Sequence, residues 1–159
     1  MKRIIVGILS LLAVSQAGAV TINDAFGVKL GQQVNTSQMK ASAGFGGENV
    51  NSGPATYQFA PAVNDMKVNF NEYSFSTDNS RRVIASVTAI KNSGSEKQCQ
   101  ADLSVIKEAA TKKYGAPSYS QINNVNFVDS QSRSKTVAVS CSQNVLTFVL
   151  NDVNSGLQF

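Results

Sequence analysis

The stretch SEKQCQADLSVIKEAATKKYGAP, residues 95–117, decides the fold. Cys99, Leu103, Ile106, Ala110 and Tyr114 recur at steps of four, three, four and four, which places them on one stripe of an α-helix. Ser95 stands where an N-cap is needed, and Gln98 three positions later completes a capping-box pattern. Gly115 suits the left-handed position beyond the last turn, and Pro117 blocks continuation. The spacing therefore predicts a helix over residues 96–114, with a cysteine on its apolar stripe.

On both sides of the helix the period falls to two. Upstream, Val83, Ala85, Val87 and Ala89 alternate with Ile84, Ser86, Thr88 and Ile90, and the turn residues of KNSGS close that strand. Tyr57 and Phe59 alternate before Pro61. Val68 and Phe70 are followed by Tyr73 and Phe75, so the phase shifts around Asn71-Glu72, which reads as a β-bulge or a break between two short strands. Downstream, residues 122–128, 135–142 and 145–151 read as three more strands. The last two form a hairpin if Gln143-Asn144 is the turn, with Cys141 opposite Leu146, Val139 opposite Phe148 and Val137 opposite Leu150. All six then share one apolar face, while Thr136, Ala138, Ser140 and Thr147 form a face that tolerates water. The expected architecture is α+β: an antiparallel sheet of about six strands with one amphipathic helix packed on it.

Cys99 and Cys141, the two cysteines of the chain, both fall in phase with the expected core. A disulfide between them would close a loop of about 40 residues and join helix to sheet. A nucleophilic cysteine usually works with a base, most often histidine, and the chain contains none. Two cysteines so far apart also fail as a zinc site, and no Cys-x-x-Cys redox pair is present. Cys99–Cys141 is therefore expected as a structural disulfide.

The compartment follows from the N-terminus. In MKRIIVGILSLLAVSQAGAV the basic pair Lys2-Arg3, a short apolar run and the small residues Ala17-Gly18-Ala19 follow one another in the order of a secretory signal peptide. Val20, not cysteine, follows the expected cut, which argues against a lipid anchor. Cleavage after Ala19 leaves residues 20–159, long enough for one domain with a real core, and no later apolar run would cross a membrane as a helix. Residues 1–19 are thus expected to be removed, and 20–159 to form a single globular domain that is flexible to about residue 53. Within that flexible part, DAFGVKLGQQV reads as a short strand or turn, and ASAGFGGENVNSGP as a loop. Gly44-Phe45-Gly46-Gly47 is not a phosphate cradle, because no Gly-Lys-Ser/Thr follows it.

Removing Lys2 and Arg3 lowers the formal charge from +4 to +2, and Arg81-Arg82 and Lys112-Lys113 are isolated basic pairs. Nothing there makes a case for nucleic acid. Ser104-Val105-Ile106-Lys107 has the letters Ser-x-x-Lys without its companion motifs. Asp152-Val153-Asn154-Ser155-Gly156 resembles half a calcium loop and reads as a turn. Asn35-Thr36-Ser37 matches a glycosylation sequon. The final LQF raises a rival architecture, a small outer-membrane barrel, for which 140 residues suffice.

AFGVKLGQ, YQFAP, FNEYSFSTD, VIASVTAI and a cysteine-bearing helix ending KKYGAP together resemble a type of small exported bacterial protein. The resemblance implies export and an α+β domain and brings no activity or site residues. The expectation is an exported, soluble, non-enzymatic protein, periplasmic or secreted, that binds protein in the bacterial envelope as an inhibitor, immunity or assembly-accessory module. No cofactor and no metal are expected. A periplasmic enzyme with carboxylates brought together only by the fold is the competing reading.

Overall fold

The computed structural model describes residues 21–34, 55–78 and 83–155. Its elements are β1 Asp24–Ala25, β2 Val28–Lys29, β3 Thr56–Gln58, β4 Glu72–Asp78, β5 Val83–Asn92, α1 Glu96–Tyr114, β6 Tyr119–Ser120, β7 Asn124–Val128, β8 Lys135–Ser142 and β9 Val145–Asp152. A 3-10 turn at Val153–Ser155 follows. β1 and β2 form a small hairpin; the other seven strands form one antiparallel sheet in the order β3-β4-β5-β9-β8-β7-β6. The fold is α+β as expected, with seven strands in the main sheet where about six were read. Among the described residues the sheet is open, ending at β3 and β6.

The helix begins and ends where its caps place it. Ser95 Oγ accepts the Gln98 N–H at 3.2 Å, and Gly115, at φ 82°, donates its N–H to Thr111 O at 3.0 Å. Only half of the capping box forms, because the Gln98 carboxamide turns inward and donates to Asp102 Oδ1 at 3.0 Å. The whole predicted stripe is buried, and Asp102 is buried beside it. β8 and β9 pair in the expected register, Cys141 to Leu146, Val139 to Phe148 and Val137 to Leu150.

Strand register lines up two apolar rows on one face of the sheet. Tyr57, Phe75, Val87, Leu150, Val137 and Phe127 form one; Tyr73, Ala89, Phe148, Val139 and Val125 form the other. α1 packs on this face over β7, β8 and β9. The rest is covered by β1–β2 and by the chain around residues 59–70. Phe26 lies edge-on to Phe70, Tyr73 and Phe148, and Phe59 rests on Tyr73 and Phe75.

The largest departure from the sequence reading is here. Of the stretch expected to be flexible to about residue 53, residues 21–34 carry Ile22, Ala25, Phe26 and Leu30 into the core, each at most 6% exposed. Its hairpin turns on Phe26 (φ 56°) and Gly27 (φ 84°). Gly27 is required twice over, since a Cβ there would lie 2.8 Å from the Ala62 Cβ. Smaller corrections follow. Val68 and Phe70 are buried in a non-strand segment, so the phase shift at Asn71-Glu72 is a break, and the register irregularity falls between Ser76 and Thr77 instead. Ile122 belongs to the β6–β7 turn and is 83% exposed. The leader, Asn35-Thr36-Ser37, Gly44-Phe45-Gly46-Gly47, Arg81-Arg82 and the terminal LQF lie outside the described residues.

Candidate functional site

Cys99 and Cys141 form a disulfide, with S–S 2.05 Å and Cα atoms 5.9 Å apart. Both residues are buried, so the bond fixes α1 to β8 with no access for an attacking thiolate. One turn along the helix, Asp102 meets Lys91 of β5 at 2.6 Å. Lys91 stands opposite Leu146, which stands opposite Cys141, so ion pair and disulfide belong to the same row under the helix. Sequence reading missed Asp102, whose position three residues after Cys99 puts it on the buried stripe.

A second polar cluster lies at the other end of α1. Lys113 Nζ contacts Asp24 Oδ2 at 2.6 Å and also Asp65 Oδ2, and the Asp65 carboxylate accepts the Phe26 N–H. The Tyr114 hydroxyl donates to Asp24 O at 2.7 Å. Burial works to lower the Lys113 pKa, but the hydrogen bonds and charges of Asp24 and Asp65 outweigh it and raise the value. Burial pushes the Tyr114 phenol far up, reinforced by the same two carboxylates. Beside this cluster a groove of ≈ 370 Å³ runs between α1 and residues 65–67, with Lys67, Glu108 and Lys112 around Val105 and Ala109. Its carboxylates are engaged: Asp65 with Lys113, and Glu108 with Lys112 at 2.6 Å. The arrangement holds the N-terminal hairpin to the helix.

Asp129, also buried, does similar work at the β7–β8 connection. Its carboxylate accepts the backbone N–H of Ile22 at 2.7 Å and those of Gln131 and Ser132 at 2.8 Å. The Ser132 amide foremost, with the Ile22 and Gln131 amides, lowers its pKa against the cost of burial. The local signal was present: Asp129-Ser130-Gln131-Ser132 is a sequence that favours an Asx turn. What it could not announce was the distant amide of Ile22.

The opposite face of the sheet is different in kind. In register, Gln58, Ser74, Thr88, Val149, Ala138, Asn126 and Tyr119 form one row across all seven strands. Glu72, Ile90, Thr147, Ser140 and Asn124 form a second, and Thr56, Ser76, Ser86, Asn151, Thr136 and Val128 a third. Of these side chains only Glu72, at one end of its row, carries a charge; Asp78, the next residue of β4 on this face and opposite Val83, adds a second carboxylate. Among the described residues, the helix, the β1–β2 hairpin and the 59–70 segment all lie on the other side. Tyr119 and Val128, 45% and 41% exposed, are among the large apolar residues left open to solvent. The water-tolerant face read from Thr136, Ala138, Ser140 and Thr147 is the middle of this surface.

Comparison with protein-family models, curated proteins and solved structures returns no match to this chain. The fold and its surfaces thus define the class by themselves: an α+β domain with a disulfide-anchored helix on one side of an open sheet. No helix among the described residues is long and apolar enough to cross a membrane.

Proposed function

We propose that this is an exported protein, periplasmic or secreted, that works by binding a protein surface and not by catalysis. The observation that carries the reading is the charge-poor face of the seven-stranded sheet, whose carboxylates, Glu72 and Asp78, both lie on β4. Charged residues are depleted from the cores of protein interfaces, and a rigid sheet presents such a face at low entropic cost. Export is supported by the basic, apolar, small-residue order of the N-terminus and by an intact disulfide. The non-catalytic reading is supported by how the acidic side chains are used: Asp24 and Asp65 hold Lys113, Asp102 holds Lys91, and Asp129 holds backbone amides.

A photo-crosslinking residue placed at Ala138 or at Thr147, in protein expressed from the full chain, tests this. Protein adducts from both positions in the fraction outside the cytoplasm are expected, with none from Ala101 on the exposed side of α1. Absence of adducts from the sheet positions would sink the proposal, as would retention of the protein in the cytoplasm.

A further inference from the structure

The disulfide has a charged neighbour that neither the fold nor the binding role requires. Glu96 Oε1 lies 3.6 Å from Cys141 Sγ. It is held there from one turn along α1, where the Gln100 carboxamide donates to Glu96 Oε1 at 2.9 Å and to Asn123 Oδ1 at 2.7 Å. Asn123 belongs to the exposed β6–β7 turn, and its carbonyl accepts the Cys141 N–H at 2.8 Å. Helix and turn thus meet beside the sulfur, and a carboxylate is fixed at the junction. We infer that Glu96 guards Cys99–Cys141 by charge, so that thiols are excluded in proportion to the negative charge they carry.

The chemistry of reduction gives the carboxylate this role. An external thiolate attacks one sulfur, a new S–S bond forms to it, and the old bond breaks with its electron pair leaving on the other sulfur. Cys99 is completely buried and Cys141 is 2% exposed. When the β6–β7 turn opens locally, Cys141 is therefore the sulfur attacked, and Cys99 departs as the thiolate. The mixed disulfide left on Cys141 is resolved by a second external thiolate in the same way. Each incoming group is an anion and must come up beside Glu96. Gln100 is neutral, so its hydrogen bond positions the carboxylate without cancelling its charge. Among the described residues no lysine or arginine is ion-paired with Glu96, and Lys91, on the row under the helix, is engaged by Asp102 at 2.6 Å. Burial alone slows every thiol alike. The carboxylate makes the protection depend on charge, by about fivefold for like unit charges about 4 Å apart in water.

Reduction of the oxidised protein, expressed from the full chain, by mercaptoacetate, mercaptoethanol and cysteamine tests this. Each rate is taken per thiolate and divided by that of the same thiol on bis(2-hydroxyethyl) disulfide, with the products alkylated and weighed. The wild type should favour cysteamine over mercaptoacetate by about fivefold. Glu96→Gln should lose most of that preference, Gln100→Ala should lower it by freeing the carboxylate, and about 1 M salt should shrink it in the wild type. Glu108→Gln, further along the outer side of α1, should keep it. A variant that is merely less stable speeds reduction by all the thiols together and leaves the preference intact, so the ratio separates charge from stability. A wild type without the preference would overturn the inference, and so would a preference that survives in both Glu96→Gln and Gln100→Ala. One rate common to all the thiols and independent of their concentration would also overturn it, since reduction would then wait on global unfolding.

Discussion

Two hairpins in this chain turn on two residues with positive φ at both, and they meet that requirement in opposite ways. Gln143-Asn144, at φ 51° and 64°, sits at the surface, and asparagine tolerates the left-handed region. Phe26-Gly27, at φ 56° and 84°, puts a phenylalanine where L side chains are strained by about 1 kcal/mol or more. The strain is offset because the Phe26 ring is fully buried, with centroids 5.5, 5.2 and 5.0 Å from those of Phe70, Tyr73 and Phe148. One turn is set by its own residues, the other by what it docks into. The halves of the molecule divide in the same way. The α1–β8–β9 half is local in sequence and closed by a covalent bond, whereas the N-terminal half depends on contacts between residues far apart in the chain.

Removing the covalent bond should have the largest effect. Cys99→Ala with Cys141→Ala loses a cross-link between residues 42 apart, worth about 4 kcal/mol in the chain-entropy model. Urea unfolding should show that loss, and hydrogen exchange should show new opening in α1 and β8. An unchanged urea midpoint would mean that Lys91–Asp102 and the apolar stripe already hold the helix. Phe26→Ala comes next, at roughly 3 kcal/mol for a buried aromatic side chain removed from a packed socket. Here exchange should open residues 22–30 and β4 first and leave α1 protected. Equal opening of both halves in both variants would dissolve the distinction and show one cooperative unit.

The same division explains what could be read from the sequence. Helix, caps, the β8–β9 register and the disulfide were legible because each rests on residues near one another in sequence or on strict periodicity. Cys99 and Cys141 were linked by matching two local phases, one of period 3.6 and one of period two. The N-terminal hairpin was not legible, because Phe26-Gly27 carries no Asn-Gly or Asp-Gly signal and its apolar residues are too few to show a period. Ile22, Phe26 and Leu30 acquire their meaning only from Met66, Phe70 and Phe148, which share their buried cluster but lie far away in the chain. Val68 and Phe70 were misassigned for a related reason: alternation marks them as strand, yet Lys67 just before them adopts φ 62°, which turns the chain off the sheet. The charge-poor sheet face was half legible. Thr136, Ala138, Ser140 and Thr147 marked its middle, but its breadth depends on strand order, which no local pattern encodes.

The smallest effect tests how the N-terminal half is tied down. Asp129 takes the Ile22 N–H together with its own loop amides, all as acceptor. In Asp129→Asn one of the two oxygens becomes an NH₂ donor facing backbone donors, at a cost of about 2 kcal/mol near neutral pH. The sign of the pH dependence follows from the lowered pKa of Asp129 in the folded state. The unfolded chain holds the proton more tightly than the folded one. The stabilisation is therefore complete above the ordinary aspartate value of 3.8 and disappears as pH falls through the lower folded value. Urea unfolding of both proteins from about pH 6 down to about pH 2 should show the gap between wild type and Asp129→Asn closing on the acid side. A gap that stays constant to the lowest pH would mean that the loop and Ile22 depend on the two oxygen acceptors of Asp129 and not on its charge.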